Sequence, residues 1–576
     1  MTECKTSPLV KLPRELQGML VDHLNCHDLN TLSKTCRALH TVVLPNIYKV
    51  VNIAVPQRWS RLASLEDLLG STGEGLKYTT ALMISTQQDP LRKIQQGSED
   101  VRPQAELLEE RSLQFYFPQS SASNALNAFI RLLIVKLPQN RLDVFAWEHN
   151  CELDVSTVNL LFERQKTSMR SFLCNRFSSS SDVLGSVAKG IHRLSVEGMD
   201  PDSNGCKWAG RMIVENAETL DVLDLGFTTR IAHDFALNRR PPHDLMTILL
   251  AIAVTEALHK SNQELLLTLS LRKLHLCGLD LGSFIQGEMA LDIEFNNIVE
   301  LRLESCPGLS QAFPLLTGQG NPSKATLGAL RDLFVRFEDH DQNLPTSFEN
   351  FLTSLPGLNH LQVLIDNCFT VQKLEPILQV HGKTLTTLIW DERSGPRKSL
   401  KVSTSMFSTK LQNLRIVSNH CPHLNVLGLP LDWDSISNSA ELHISIGRWL
   451  RKMPHLQVLN IRNLPILSDN CAMPMDYFVK GLAAMFLDIV NKKRKSTSFK
   501  IIALSAPLYR DVRIGTHHVA HTPVSDFLRF RAYNVDYKYP SPSGLTTVLS
   551  EVVKGAAIRA DEALKHKYLL YYYWLG

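Results

Sequence analysis

The sequence predicts an α/β chain. A short N-terminal module of three helices leads into a curved solenoid, with parallel strands on the concave face and helices on the convex face. Three observations predict it. A six-residue pattern, Leu-x-x-Leu-x-Leu with apolar-for-apolar swaps, returns a dozen times between Leu142 and Leu504. Pro356, Pro422 and Pro454 each stand two residues before the first leucine of a copy. Ahead of the repeats, Pro8 to Val51 carries leucines at helical spacing broken by capping and turn residues.

In the N-terminal module Pro13 is placed to open a helix, where its missing N–H costs nothing. Leu16, Leu20 and Leu24 recur every four residues and Val21 broadens the stripe. Asn25-Cys26-His27-Asp28 interrupts the pattern, and Asp28 suits the N-cap of a second helix. Leu29, Leu32 and Cys36 line that helix; Leu39 and Val43 continue an apolar face until Pro45 stops it. Helices this short bury little surface on their own, so the module is expected to lean on a partner.

The repeats follow. Clear copies centre on Leu223, Leu274, Leu301, Leu333, Leu427 and Leu459, and looser ones on Phe145, Phe172, Leu194, Leu361, Leu388 and Ile502. Eight of the eleven intervals between centres fall at 22–32 residues; the others, 51, 39 and 43, imply insertions or a missed copy. That period is close to the leucine-rich one. In each copy a strand turns its second and third apolar residues inward and the residues between them outward. A helix then returns the chain, and the prolines mark where that helix must end.

These signals divide the chain into a helical module at 8–52, a connecting segment at 53–135 that holds irregular first repeats and a polar insertion, the solenoid at 136–505, and a C-terminal extension and cap at 506–576. Pro90–Asn124, Thr228–His243, Thr317–Lys324 and Asp391–Lys398 read as loops on the solenoid rim. Leu545–Leu564 reads as helical, and the apolar Leu569–Trp574 as the cap of the last repeat.

Composition narrows the function. With 61 Lys+Arg against 57 Asp+Glu, the net charge of +4 lacks the concentrated basic surface of a nucleic-acid binder. The richest apolar stretch, Leu245–Val254, is too short to span a bilayer, and the N-terminus lacks a signal peptide's apolar run. The 11 cysteines form no Cys-x-x-Cys, which fits a reducing compartment, cytoplasmic or nuclear.

The N-terminal block resembles the F-box. Leu12-Pro13-x-Glu15-Leu16 with Leu20-Val21 and Leu24 matches its first helix. Asp28-Leu29-x-x-Leu32-Ser33-x-x-Cys36-Arg37 matches its second helix and Pro45-Asn46-Ile47-Tyr48 its closing segment, while Leu39 stands where many members carry tryptophan. With a repeat array behind it, the chain is similar to F-box/leucine-rich-repeat proteins, of a fungal type with loose repeats. The resemblance implies a substrate receptor of an SCF ubiquitin ligase, in which a Skp adaptor binds the F-box and joins a cullin. It further implies that Leu12, Pro13, Leu16, Leu20, Leu24, Leu29, Leu32 and Cys36 form or support the adaptor contact, or else the module's own core. No cofactor or metal is implied. The alternative is an F-box scaffold that assembles no ligase.

Enzyme motifs fail on inspection. Gly70–Lys77 has the two glycines of a phosphate-binding loop, but Leu76 replaces the lysine that must follow the second glycine, and Lys77 is itself followed by Tyr78 where a metal-binding hydroxyl is needed. Gly318-Gln319-Gly320 lacks a third glycine, and Asp432-Trp433-Asp434 and Lys492–Lys495 read as a turn border and a solvated loop. A protein target is instead expected on the concave face, at the residues flanking the central leucines: Lys273, His275, Glu300, Arg302, Glu304, Asp332, Phe334 and Arg336. Interleaved charge with one aromatic anchor suits a partner read by complementarity.

Overall fold

The computed structural model describes residues 8–24, 26–56, 73–87, 119–149, 151–175, 177, 187–199, 204–227, 243–261, 267–285, 291–318, 327–337, 341–366, 374–393, 411–431, 440–462, 480–485, 487, 500–504, 531–541 and 544–551. The chain divides into two units. The first comprises Met1–Thr228, Leu245–Leu271 and Gly287–Ile293; the second comprises Thr229–Asp244, Arg272–Gln286 and Glu294–Gly576.

The first unit opens on α1 (Pro8–Lys11), α2 (Arg14–Asp22), α3 (Cys26–Ser33) and α4 (Arg37–Lys49). Pro13 precedes α2 in an extended conformation, and its carbonyl accepts the Gln17 amide at 3.0 Å. Three details correct the sequence reading. Asp28 lies in the first turn of α3 rather than capping it, where its charge still favours the helix start. Cys36 does not continue α3 but stands extended ahead of α4. Pro45 lies inside α4 instead of ending it. Val43 and Ile47, on either side of that proline, pack with Val21 and Leu29, which offsets the one hydrogen bond it removes.

Next come β1 (Val50–Pro56), α5 (Gly73–Leu76), β2 (Ala81–Gln87), α6 (Gln119–Lys136), β3 (Val144–Glu148), α7 (Val155–Arg164) and β4 (Ser171–Cys174). β5 (Arg193–Met199), α8 (Asn204–Asn216), β6 (Val222–Phe227) and α9 (His243–Ser261) follow. Strands β1 to β6 lie in chain order, all parallel. Of β7 (Leu267–Leu269), β8 (Lys273–Cys277) and β9 (Leu291–Ile293), β7 and β9 pair in the first unit and β8 begins the second.

In the second unit α10 (Leu281–Ile285), β10 (Glu300–Glu304), α11 (Leu309–Leu316), β11 (Asp332–Phe337), α12 (Leu344–Ser354) and β12 (His360–Asp366) alternate. α13 (Leu374–His381), β13 (Thr387–Arg393), α14 (Leu411–His420), β14 (Val426–Leu429), α15 (Ala440–Arg451), β15 (Val458–Ile461) and β16 (Ile501–Leu504) continue the series. β8 and β10 to β16 are parallel and in chain order; β17 (Arg531–Ser541) and β18 (Gly544–Glu551) finish the sheet antiparallel.

Register confirms the phase of the repeat. Phe145, Phe172, Leu194 and Leu223 stand opposite one another across β3 to β6. Leu274, Leu301, Leu333, Leu361, Leu388, Leu427, Leu459 and Ile502 do the same across the second unit. Each is buried, because the helices pack on that face. In the second unit Phe337 of β11 meets the rings of Phe313 (6.3 Å) on α11 and Phe348 (4.7 Å) on α12. In the first, Phe172 and Phe177 lie 5.3 and 4.9 Å from Trp208 on α8. Val51 and Leu82 extend the first row into β1 and β2. Those copies escape the pattern because Tyr48 and Thr79 hold the first apolar place.

A second device ties helices to strands. The backbone of the first apolar residue in three copies is gripped by a polar pair at the end of the following helix. Gln165 Oε1 accepts the Leu142 N–H (3.0 Å), and Ser168 Oγ donates to the Leu142 carbonyl (2.9 Å). Asn216 Oδ1 accepts from Ile191 (2.9 Å), and Thr219 Oγ1 donates to its carbonyl (2.9 Å). His381 Nδ1 accepts from Leu358 (3.2 Å), and Thr384 Oγ1 donates to its carbonyl (2.7 Å). Buried backbone groups must find partners, and here an amide or imidazole with a hydroxyl three residues on supplies both.

Elsewhere the reading needs correction. Gln119–Asn124, assigned to a loop, forms the start of α6, and Asp391–Arg393 belongs to β13. Leu545–Glu551 is strand rather than helix: Thr546, Thr547 and Val548 are β-branched, and they pair along β17. The remaining loop assignments fall largely, and the helix beyond Glu551 and the Leu569–Trp574 cap entirely, outside the described residues, as do Asp432–Asp434 and Lys492–Lys495.

Candidate functional site

Two surfaces gather the residues singled out above. The first is α2. Its inward face carries Gln17 and Val21. Val21 packs with Leu29 and Val43, and Leu24, Leu32, Val42 and Ile47 surround that cluster. The Gln17 amide shares its hydrogens among the carbonyls of Leu9, Val10 and Leu12 (3.0, 3.2 and 3.0 Å), fastening α1 onto α2. Asn46 donates to Asp22 at 2.8 Å and ties α4 to the same helix.

This arrangement turns the leucines outward. Leu16, Met19 and Leu20 share one face of α2 and are 46%, 61% and 45% exposed. Pro13, one turn earlier, is exposed as well. Leu12, Leu24 and Leu32 are half-buried, whereas Leu29 and Cys36 are buried within the module. Sequence reasoning missed Met19 and, above all, Gln17. The signal was present: Gln17 and Val21 form their own i, i+4 stripe beside Leu16 and Leu20, and only the glutamine can satisfy the carbonyls of α1.

The second surface is the sheet face of the second unit opposite the helices. Glu304 Oε1 accepts from Arg302 Nε (2.6 Å) and lies 3.1 Å from His275 Nε2. The Arg302 guanidinium stands 4.4 Å over the Phe334 ring, a cation–π contact. Lys273 pairs with Glu300, and His360 lies 3.8 Å from Asp332. Phe334, Leu364 and Ile389 form an apolar cluster on the same face.

The sequence reading leaves this face open; in the structure its middle is closed. Arg302, Glu304, Phe334 and Arg336 are buried. Their own contacts close it: Arg302 and His275 engage Glu304, Arg302 covers the Phe334 ring, and Phe334 packs with Leu364 and Ile389. In the later strands the flanking Val426, Val458 and Ile501 are apolar and buried as well. What stays accessible is the row Lys273, Glu300, Asp332 and His360, in register from β8 to β12, with side chains 39%, 22%, 23% and 21% exposed. His275 is intermediate. The row presents both charge signs side by side.

Among the described residues, no group of three or more His, Cys, Asp or Glu is placed to hold a metal ion, and no helix is long and apolar enough to cross a membrane. Gly75, from the loop that approximates a phosphate-binding motif, is a packing residue: a Cβ there would come within 2.6 Å of the Tyr48 ring. Burial pushes the thiols of Cys306 and Cys421 up to about 12, so both stay protonated and poorly nucleophilic. Comparison with protein-family models and with curated proteins finds no match.

Proposed function

We propose that this chain is a non-catalytic substrate receptor of an SCF-type ubiquitin ligase. Its N-terminal module docks a Skp adaptor that joins a cullin, and its leucine-rich repeats hold a protein target. The observation that carries this reading is the outward face of α2. A module this small leaves Leu16, Met19 and Leu20 in water while an amide occupies the inner side, and such a surface is what an adaptor helix covers. The repeats support it further. Ile298, Leu301, Leu303 and Cys306 fit the longer leucine-rich pattern with cysteine in the asparagine position. The Cys306 thiol donates to the carbonyls of Leu276 and Glu304 at 3.4 Å, bridging β8 and β10.

In this role the chain contributes proximity: tethering the target raises its effective concentration near ubiquitin activated by a separate enzyme. The accessible row Lys273, Glu300, Asp332 and His360 is the place where charge complementarity fixes the target's register. Such a ligase works in the cytoplasm or nucleus.

The test is copurification of the full chain with adaptor and cullin, beside a Leu16→Ser/Met19→Ser/Leu20→Ser variant. The proposal expects the native chain to capture both and the variant neither, with an unchanged circular dichroism spectrum. Undiminished capture by the variant would overturn the assignment of this face. Adaptor without cullin would establish the scaffold alternative.

A further inference from the structure

The three polar clamps differ in one chemical respect. Gln165 and Asn216 are amides, whose donor and acceptor atoms are fixed. The third position holds a histidine. His381 Nδ1 accepts the Leu358 N–H at 3.2 Å, and Nε2 lies 2.8 Å from the Leu352 carbonyl, to which it donates. Only a neutral ring with its proton on Nε2 satisfies both bonds. The ring is fully buried, and an added proton has one place to go, on Nδ1, where it faces the Leu358 N–H, another donor, an opposition that the pull of the Pro356 backbone only partly offsets.

We infer that His381 is an acid-operated release: protonation turns the acceptor of the clamp into a donor, and the joint between α12, β12 and α13 opens while the two amide clamps stay closed. This goes beyond the ligase reading and does not rest on it.

The charged and titratable groups on the surrounding elements are engaged elsewhere or face water. Glu375 on α13 meets His420 of α14 at 3.3 Å, and His360 on β12 faces Asp332. Glu392 on β13 accepts the Trp390 indole N–H at 2.7 Å. Lys383 is exposed, and neither Glu349 on α12 nor Arg415 on α14 bonds the ring, whose partners are backbone groups. Burial holds the ring's pKa below the ordinary 6.5, against the opposing pull of the Leu352 and Pro356 backbone. The neutral, clamped form is therefore the resting one at neutral pH.

Hydrogen exchange of the full chain at about pH 7 and about pH 5, corrected for intrinsic rates, tests this. An opened histidine of pKa near 6.5 favours its protonated form by about thirtyfold at pH 5. Protection of the Leu358 amide is therefore expected to fall by roughly ten- to thirtyfold relative to the Leu142 and Ile191 amides. His381→Asn, which installs the amide that Asn216 presents, should abolish the difference; His381→Gln is the second variant. An equal fall at all three amides, or a selective fall that persists in either variant, would overturn the proposal. Should neither variant fold, comparison of the three amides in the native chain decides it.

Discussion

The buried ion pair between Asp391 and Arg462 offers a sharp test of how the second unit is held. Arg462 follows β15, and its backbone N–H bonds to Leu429 of β14 at 3.0 Å. Its guanidinium reaches past β14 to Asp391 of β13, 71 residues away in sequence, at 2.9 Å. Both side chains are essentially sealed from solvent, at 2% and 0% exposure. At that distance, and at an effective dielectric constant of ~20, the attraction is about 6 kcal/mol. Stripping water from two ions costs several kcal/mol for each, so the pair nets little. Removing one partner is another matter, since the other charge remains buried. Asp391→Leu and Arg462→Met should each cost roughly 3–5 kcal/mol, while the double variant should return to within about 1 kcal/mol of the native chain. The assay is native-state hydrogen exchange at the amides of β13 to β15, read as local opening free energies. Single costs below about 1 kcal/mol, or a double variant as unstable as the sum of the singles, would refute the reasoning.

Three further outcomes follow from the packing. Gln17→Ala should cost about 1–3 kcal/mol, because it orphans carbonyls of α1, whereas Leu16→Ser should stay within about 0.5 kcal/mol; chemical denaturation of the two variants checks the inverted helix. Leu301→Ala, at a site 1% exposed, should cost about 2–5 kcal/mol, with exchange quickening in β8 and β11 on either side. His149 accepts the Cys151 N–H on Nδ1, and burial lowers its pKa from 6.5 to about 4. The unfolded chain thus binds this proton first. The stabilisation is complete above pH 6.5 and is lost as pH falls towards 4, by up to roughly 3 kcal/mol. Denaturation midpoints of the native chain and His149→Asn across that range should converge at the acid end.

Much of the fold is legible because strand alternation fixes the spacing of Leu-x-x-Leu-x-Leu, so the central residues mark every strand from β3 to β6, β8, and β10 to β16. β1 and β2 escape because tyrosine and threonine sit where the first leucine belongs. Pro45 misleads because tertiary packing outweighs a local rule. The clamps are written in the sequence as Gln165-x-x-Ser168, Asn216-x-x-Thr219 and His381-x-x-Thr384, each just before the next copy, but polar residues at helix ends carry no signal until their partners are known. Burial of this face in the later strands could have been anticipated. Val426-Leu427-Gly428-Leu429, Val458-Leu459-Asn460-Ile461 and Ile501-Ile502-Ala503-Leu504 are nearly continuous apolar runs, the mark of strands buried on both sides. In the N-terminal module, which of two adjacent stripes turns inward depends on a side chain's hydrogen bonds rather than on hydrophobicity.

The clamps also act as a ruler for chain growth. Each joins residues separated by 23, 25 or 23 positions, pinning the start of a strand to the end of its helix in copies of nearly equal length. The strand-to-strand intervals of these copies, from Phe145, Leu194 and Leu361 to the next centre, are 27, 29 and 27 residues. The long intervals of 51, 39 and 43 residues begin at Leu223, Leu388 and Leu459, in other copies. Extra sequence therefore stands outside the three clamped copies. A tag, a second domain or a new recognition loop is best placed in those same three intervals, which already carry the extra length without disturbing a clamp.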